Sequence, residues 1–349
     1  MKIAEKDLTR PAAESGERPR PVLVVRLDAT LLDAASSKAR AAGTYKQGFG
    51  FHPLTAWCTN IGDSLAVMLR PGNAGSFTAC DHTAVLDAAF GQIPATWRTD
   101  VLVTIDGAGA SHEIIDYLTG LNTAPAHGKR GRRVEYSIGW PIDERTLAGI
   151  SELREPDWDN ALDADGAPDP EAQVVDLTGI LRGGPGGDRL GSWPTDLRVI
   201  ARRVPRPAGK QAKLGEDAYW EYGAFATTRR LGRSSGSTPA TAPRRMWKTG
   251  SPSSRPAAPA TCPRSTTTAT APGCNSPPLA TSLTAWLRHL ALDCDLAKAG
   301  TKTLRFRLLS APARLVTHAR RKILKIPPGW AWADDLATAW DRLQALHPG

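Results

Sequence analysis

The sequence predicts an α/β protein built on a mixed sheet, and three observations carry that expectation. Apolar or alternating runs of strand length, PVLVVRLDA (21–29), SLAVMLR (64–70), DVLVTIDG (100–107) and RRVEYSIGW (132–140), are bounded by Gly, Pro or polar turns. Between the second and third lies TACDHTAVLDAAFGQI (78–93), with Ala, Val, Leu and Phe at helical spacing. After the third comes SHEIIDYLTGLN (111–122), with Ser111 placed as an N-cap. An early β-meander followed by β-α-β alternation implies strands running both ways, with helices as crossovers.

The remaining elements follow in order. AQVVDLTGIL, DLRVIARRV and YWEYGAFATT within 172–230 read as further strands, joined by the glycine-rich RGGPGGDRLGS. That loop lacks the G-x-x-x-x-G-K-[ST] order of a phosphate cradle, so it reads as a connector. Toward the C-terminus, 279–299 and 332–346 read as amphipathic helices, separated by the basic stretch TKTLRFRLLSAPARLVTHARRKILKI. No internal repeat is found.

At 349 residues the chain has length for roughly two domains of ordinary size. No apolar run approaches the roughly 20 residues of a bilayer span, and the N-terminus has no signal-peptide core, so the expected location is the cytoplasm and no membrane partner is expected. Five cysteines with no C-x-x-C pair argue against a disulfide framework and against a zinc ribbon. The net charge of +9 makes nucleic acid the first partner to weigh.

That charge is unevenly placed. Residues 1–230 carry 27 Lys and Arg against 30 Asp and Glu, 231–280 carry 6 against 0, and 281–330 carry 10 against 2. From Tyr222 to Leu292 there is no acidic residue. The Pro, Ser and Thr density of that block offers no periodic apolar face to offset the entropy of ordering. The expected organisation is therefore a disordered N-terminus (1–20), an α/β core (21–157), a β-rich segment (158–230), a disordered segment (231–278) and a basic, mainly helical C-terminal region (279–349).

Two acids stand at strand ends. Asp28 closes PVLVVRL and Asp106 closes DVLVTI, each followed by small residues. A strand-end aspartate commonly serves as a turn or capping residue. Two of them on neighbouring strands can instead converge on a cation such as Mg²⁺, which takes oxygen ligands and is usually held by one or two carboxylates plus substrate phosphate.

The stretch from Asp28-Ala29-Thr30 through Tyr45-Lys46, Gly48-Phe49-Gly50-Phe51-His52-Pro53-Leu54 and Leu69-Arg70-Pro71-Gly72-Asn73-Ala74-Gly75 to Asp106, Ala108-Gly109 and His112 resembles the DDE transposases of bacterial insertion sequences, in particular the family numbered thirteen-eighty. Trp193-Pro194, Arg198-Val199 and Arg202-Arg203 are similar to that family's β-rich insertion, and 279–346 to its C-terminal region. The resemblance implies a ribonuclease-H-like fold and an Asp-Asp-Glu triad holding Mg²⁺ or Mn²⁺. It also implies cleavage and strand transfer at the double-stranded terminal repeats of a mobile element, and a homodimer on that DNA. On this carry-over Asp28 and Asp106 are the first two acids. His112 either orients a carboxylate, contacts phosphate or simply caps its helix. Lys46, Arg70, Arg202 and Arg203 are candidate phosphate contacts, with solvated surface charge as the alternative.

The third acid is missing where the resemblance places it, on a helix after the insertion in a stretch like Val-Glu-Asp-Arg-Ile. The genetic code accounts for this. Met246 and Trp247 are ATG and TGG and Lys248 is AAR; read from the third base of each codon, they give Val-Glu, and Thr249, Gly250 and Ser251 permit Asp-Arg-Ile. The segment 231–278 is therefore expected to be an out-of-frame translation, with the frame restored near Leu279; the alternative is a genuine Pro/Ser/Thr-rich linker. The family also carries a helical region before its first acid, where this sequence has 27 residues, so an N-terminal truncation is expected as well. Such a copy would be defective in catalysis; the alternative reading is a non-catalytic DNA-binding remnant that uses 302–325 and interferes with an intact transposase.

Overall fold

The computed structural model describes residues 22–34, 39–75, 78–106, 109–125, 131–162, 167–184, 188–207, 209, 217–228, 267–319 and 321–346, with the backbone alone for 267–277, Leu162 and Arg321. The expected disordered N-terminus and residues 231–266 lie outside them.

β1 (Leu23–Ala29) shows how the sequence sets the architecture. Its alternation buries Leu23, Val25 and Leu27 in the core and turns Val24, Arg26 and Asp28 to the other face. β1 pairs antiparallel with β5 (Leu54–Cys58), which pairs antiparallel with β6 (Asp63–Met68). Helix α1 (Ala79–Gln92) then crosses to β7 (Asp100–Ile105), parallel to β1, and α2 (His112–Gly120) crosses to β8 (Arg133–Trp140), parallel to β7. α1 buries His82, Val85, Leu86, Ala89 and Phe90, the i, i+3, i+4, i+7, i+8 stripe that its sequence spacing requires. Ser111 caps α2 as expected, accepting the Ile114 N–H.

β9 (Asp159–Leu162), β10 (Pro168–Asp176), β11 (Arg198–Pro205) and β12 (Trp220–Thr227) extend this sheet and do not build one of their own. β12 pairs with β8, and the nine strands run β6-β5-β1-β7-β8-β12-β11-β10-β9. Trp158, Leu177, Leu181, Leu190, Trp193, Leu197 and Val199 accordingly share one core with Leu27 and Val103. The expected β-rich segment 158–230 is thus β-rich but structurally continuous with 21–157. α3 (Glu144–Ser151) connects β8 to it, and part of the run expected as a strand is helix α4 (Thr178–Gly183).

A second, three-stranded sheet follows β1 directly: β2 (Leu32–Asp33), β3 (Ala42–Gly43) and β4 (Phe49–Phe51), ordered β2-β4-β3. Two glycines permit its packing. A Cβ on Gly50 would lie 2.0 Å from the Leu32 carbonyl oxygen, and one on Gly72 would lie 2.3 Å from that of Ala42. The GFGFHP and RPGNAG motifs therefore build one scaffold.

Helix α5 (Thr267–Leu290) begins well before Leu279. The backbone is thus helical over 267–278, within the segment expected to be disordered, even though Pro272, Pro277 and Pro278 each lack a backbone donor there. α5 lies against β6, with Ser282 Oγ accepting from the Ser64 N–H at 3.1 Å and Trp286 Nε1 donating to Asp63 at 3.0 Å. Beyond it, α6 (Cys294–Lys298), α7 (Thr301–Leu304), a π-helical turn at Arg305–Leu309 and α8 (Ala333–Ala345) bury a small core of Leu292, Leu296, Leu304, Leu308 and Ala339. The basic stretch between the two expected helices contains a hairpin, β13 (Arg314–His318) and β14 (Arg321–Lys325), so this region is less helical than expected. No helix among the described residues is long and apolar enough to cross a membrane.

Candidate functional site

The pairing of β1 with β7 places the two acids together. Leu27 faces Ile105 across the parallel ladder, so Asp28 and Asp106 take the next step of the same register, at the C-terminal ends of adjacent strands. The pleat that sends Leu27 and Ile105 into the core directs the following residue to the opposite face. Asp28 is partly buried and Asp106 is exposed. The open end of a sheet beyond parallel strand termini is where α/β proteins build their sites.

A cation already stands beside one acid. Arg26, two residues before Asp28 on the same face of β1, brings Nη2 to 3.8 Å from Asp28 Oδ2. Its relevance follows from period-2 alternation alone, and the sequence reading passed over it. As donors, the two carboxylates suit one hard cation that completes its shell with water and phosphate. They do not suffice for two. Among the described residues no group of three His, Cys, Asp or Glu is placed to hold a metal.

The other candidate residues separate into distinct environments. Lys46 is exposed on the β3–β4 turn, its Nζ 5.7 Å from the Tyr45 ring. Arg70 is buried: Nε donates to the His52 carbonyl at 3.0 Å, and Nη1 donates to the Gly75 carbonyl at 3.0 Å and to Asp81 at 3.1 Å. It ties the RPGNAG turn to α1, and its burial leaves no face for a phosphate. Arg203 is likewise buried, between the Trp158 and Trp220 rings at 4.3 and 4.2 Å, and paired with Glu155 and Gln173. Arg202, its neighbour, is half-buried. β11 lies four strands from β1, about 19 Å away at the usual strand spacing, so Arg202 and Arg203 do not share a site with Asp28.

His112 opens α2, six residues after Asp106, and the insertion holds it. Its ring stacks on Trp193 at 3.9 Å and 22°, and its Nε2 lies 3.3 Å from Ser192 Oγ. Trp193 meets Trp140 edge-on at 5.0 Å, and Arg189 lies over Trp140 while bonding Asp143. Asp143 in turn caps α3 by accepting from the Thr146 N–H and hydroxyl at 2.9 and 2.7 Å. A continuous chain of contacts thus joins the α3 cap to His112 at the start of α2, which no local sequence signal could show.

Burial alone would push the Asp143 carboxyl up, but the Thr146 hydrogen bonds and the Arg189 guanidinium outweigh it and hold it below its ordinary value. A carboxyl with a depressed folded-state pKa stabilises the fold above its unfolded pKa, and that contribution fades as pH falls through the folded value. Asp143→Asn is therefore expected to flatten the loss of melting temperature between about pH 5 and pH 3, where an unperturbed Asp titrates near 3.9. Thermal melts of both proteins across that range check it, and parallel curves would refute it.

The family described as transposase DDE domain group 1 matches residues 1–214 and 277–348. No curated protein matches the chain. Among solved structures, a piggyBac transposase synaptic complex with hairpin DNA, determined by cryo-EM, is similar at a TM-score of 0.33 and 8% identity. That similarity covers 62% of this chain and 36% of the other, so the chain spans about a third of that transposase.

Proposed function

The chain belongs to the transposase DDE domain group 1 family, and from that premise we propose that it is a copy of an insertion-sequence transposase, of the family numbered thirteen-eighty, that keeps two acids and has lost the third. The observation that carries this reading is the placement of Asp28 and Asp106 one register step beyond Leu27 and Ile105 on neighbouring parallel strands. The order β6-β5-β1-β7-β8, an antiparallel meander followed by two parallel strands with helical crossovers, supports a ribonuclease-H-like core.

Asp28 and Asp106 would hold one Mg²⁺ or Mn²⁺, which when bound activates a water or 3′-hydroxyl for in-line attack at phosphorus. Arg26 neutralises part of the charge on Asp28. Lys46 and Arg202 remain as phosphate contacts, and His112, stacked on Trp193, is a residue that orients a carboxylate or contacts phosphate. The family match stops at 214 and resumes at 277, close to Leu279, where the proposed reading has the frame restored. That gap supports an out-of-frame segment in place of the helix that should bear the glutamate.

The substrate of the reading is duplex DNA at the terminal repeats of the element, engaged by a homodimer in the cytoplasm. A DNA-binding remnant that interferes with an intact transposase is favoured by the C-terminal positive charge, 10 basic residues against 2 acidic over 281–330. Incubation of the purified chain with duplex DNA carrying the repeats that flank its locus, in Mg²⁺ or Mn²⁺, tests these statements together. The expected result is salt-sensitive binding with no nicking. Nicking that Asp28→Ala abolishes would show that two acids suffice and overturn the proposed defect; absence of binding would overturn the transposase reading.

A further inference from the structure

We propose that the β13–β14 hairpin is a DNA-contacting ribbon that lies in a groove of duplex DNA, an inference that rests on the transposase reading and gives it a docking element away from the two acids. Apart from Val316, every residue of the two strands whose side chain is described is exposed. A two-stranded hairpin is at best marginally stable in water without a partner surface. The pairing register sets Leu315 against Leu324 and Val316 against Ile323, which supports the ribbon, but puts Arg314 directly opposite Lys325, where like charges facing across an antiparallel pair repel. Thr317 faces Lys322 on the other side.

No local carboxylate relieves the charge. Between Asp295 and Asp334 the sequence has nine Lys and Arg and no acid, and among the described residues no carboxylate pairs with Arg314, Lys322 or Lys325. A polyanion would relieve it, and a duplex groove about 12 Å wide admits a two-stranded ribbon whose strands are about 4.8 Å apart. The base of the hairpin is held from both sides. Trp330 Nε1 donates to the Arg307 carbonyl at 3.0 Å, Arg307 lies over Trp332 at 4.9 Å, and Phe306 packs against both tryptophans. A fixed base with an exposed basic ribbon is the geometry of an arm rather than of a loose loop.

Binding of the full chain to a 30-base-pair duplex of arbitrary sequence, in EDTA over about 50 to 200 mM salt, tests the arm without any chemistry. With each neutralised phosphate contributing about 0.9 to the slope of log K against log salt, the triple variant Arg314→Gln, Lys322→Gln, Lys325→Gln is expected to lower that slope by about 2 to 3. The control Arg145→Gln, Arg154→Gln should leave it unchanged, and Arg314→Lys, Lys322→Arg, Lys325→Arg should preserve it. An unchanged slope in the triple variant, with native circular dichroism, would overturn the arm while leaving the transposase reading intact. Loss of binding shared equally with the control, or unfolding shared with the charge-preserving variant, would also overturn it. Failure of the unmodified chain to bind duplex DNA would overturn both.

Discussion

A frame-restored protein, in which residues 231–278 are replaced by the translation that starts at the third base of each codon, is expected to nick terminal-repeat DNA in Mg²⁺ where the present chain does not. The gain follows from the donor count. Asp28 and Asp106 suit one cation, and a glutamate arriving on a helix next to them would complete the set for a second. Two ions a few ångström apart stabilise both the attacking and the leaving oxygen of a displacement at phosphorus, which one ion cannot do. In the restored protein Asp28→Ala should remove on the order of a thousandfold or more of that activity, the scale on which loss of a single electrostatic group at a reacting centre is felt. A gel assay of nicked product over time reads both effects. Sequencing the locus comes first: a stop codon in the shifted frame, or the absence of an encoded glutamate helix, would refute the frameshift itself.

Trp193→Ala is expected to cost about 3–5 kcal/mol in chemical denaturation, the range for truncating a buried aromatic. The tryptophan is 7% exposed and is wedged between His112 and Trp140, so its removal opens a cavity at the junction of two segments that are distant in sequence. Trp193→Phe should recover most of the loss. The same truncation releases His112 from its stack, so the His112 ring resonances should narrow and shift in the alanine variant only. A cost below about 1 kcal/mol would show that the stack adds little to the shared core and the β12–β8 pairing that hold the insertion.

The strands legible in the sequence were those whose apolar residues alternate or run unbroken. β1, β7 and β8 declare themselves that way, and Asp28 and Asp106 stand out because each interrupts such a run at its end. β5 was harder to read, since it follows Pro53 and spans only five residues. Arg70 and Arg203 read as surface cations because a guanidinium carries no sequence mark of burial; what buries them is a carbonyl cage in one case and two tryptophans in the other. The partner of His112 lies 81 positions away, beyond any local pattern. The hairpin at 314–325 lies in a stretch legible only as basic, between two helices, with no Gly or Pro turn signal to mark the pairing.

The last strand of the nine-stranded sheet ends at Thr227, four residues before residue 231, where the proposed frameshift would begin. Every strand and crossover helix of that sheet has therefore left the ribosome before the altered segment emerges. The insertion, the core and the β12–β8 pairing can all close during synthesis, so the proposed frameshift would follow every strand the sheet requires. On the proposed reading, loss of a catalytic acid would be separate from loss of the folded scaffold, and the first need not entail the second.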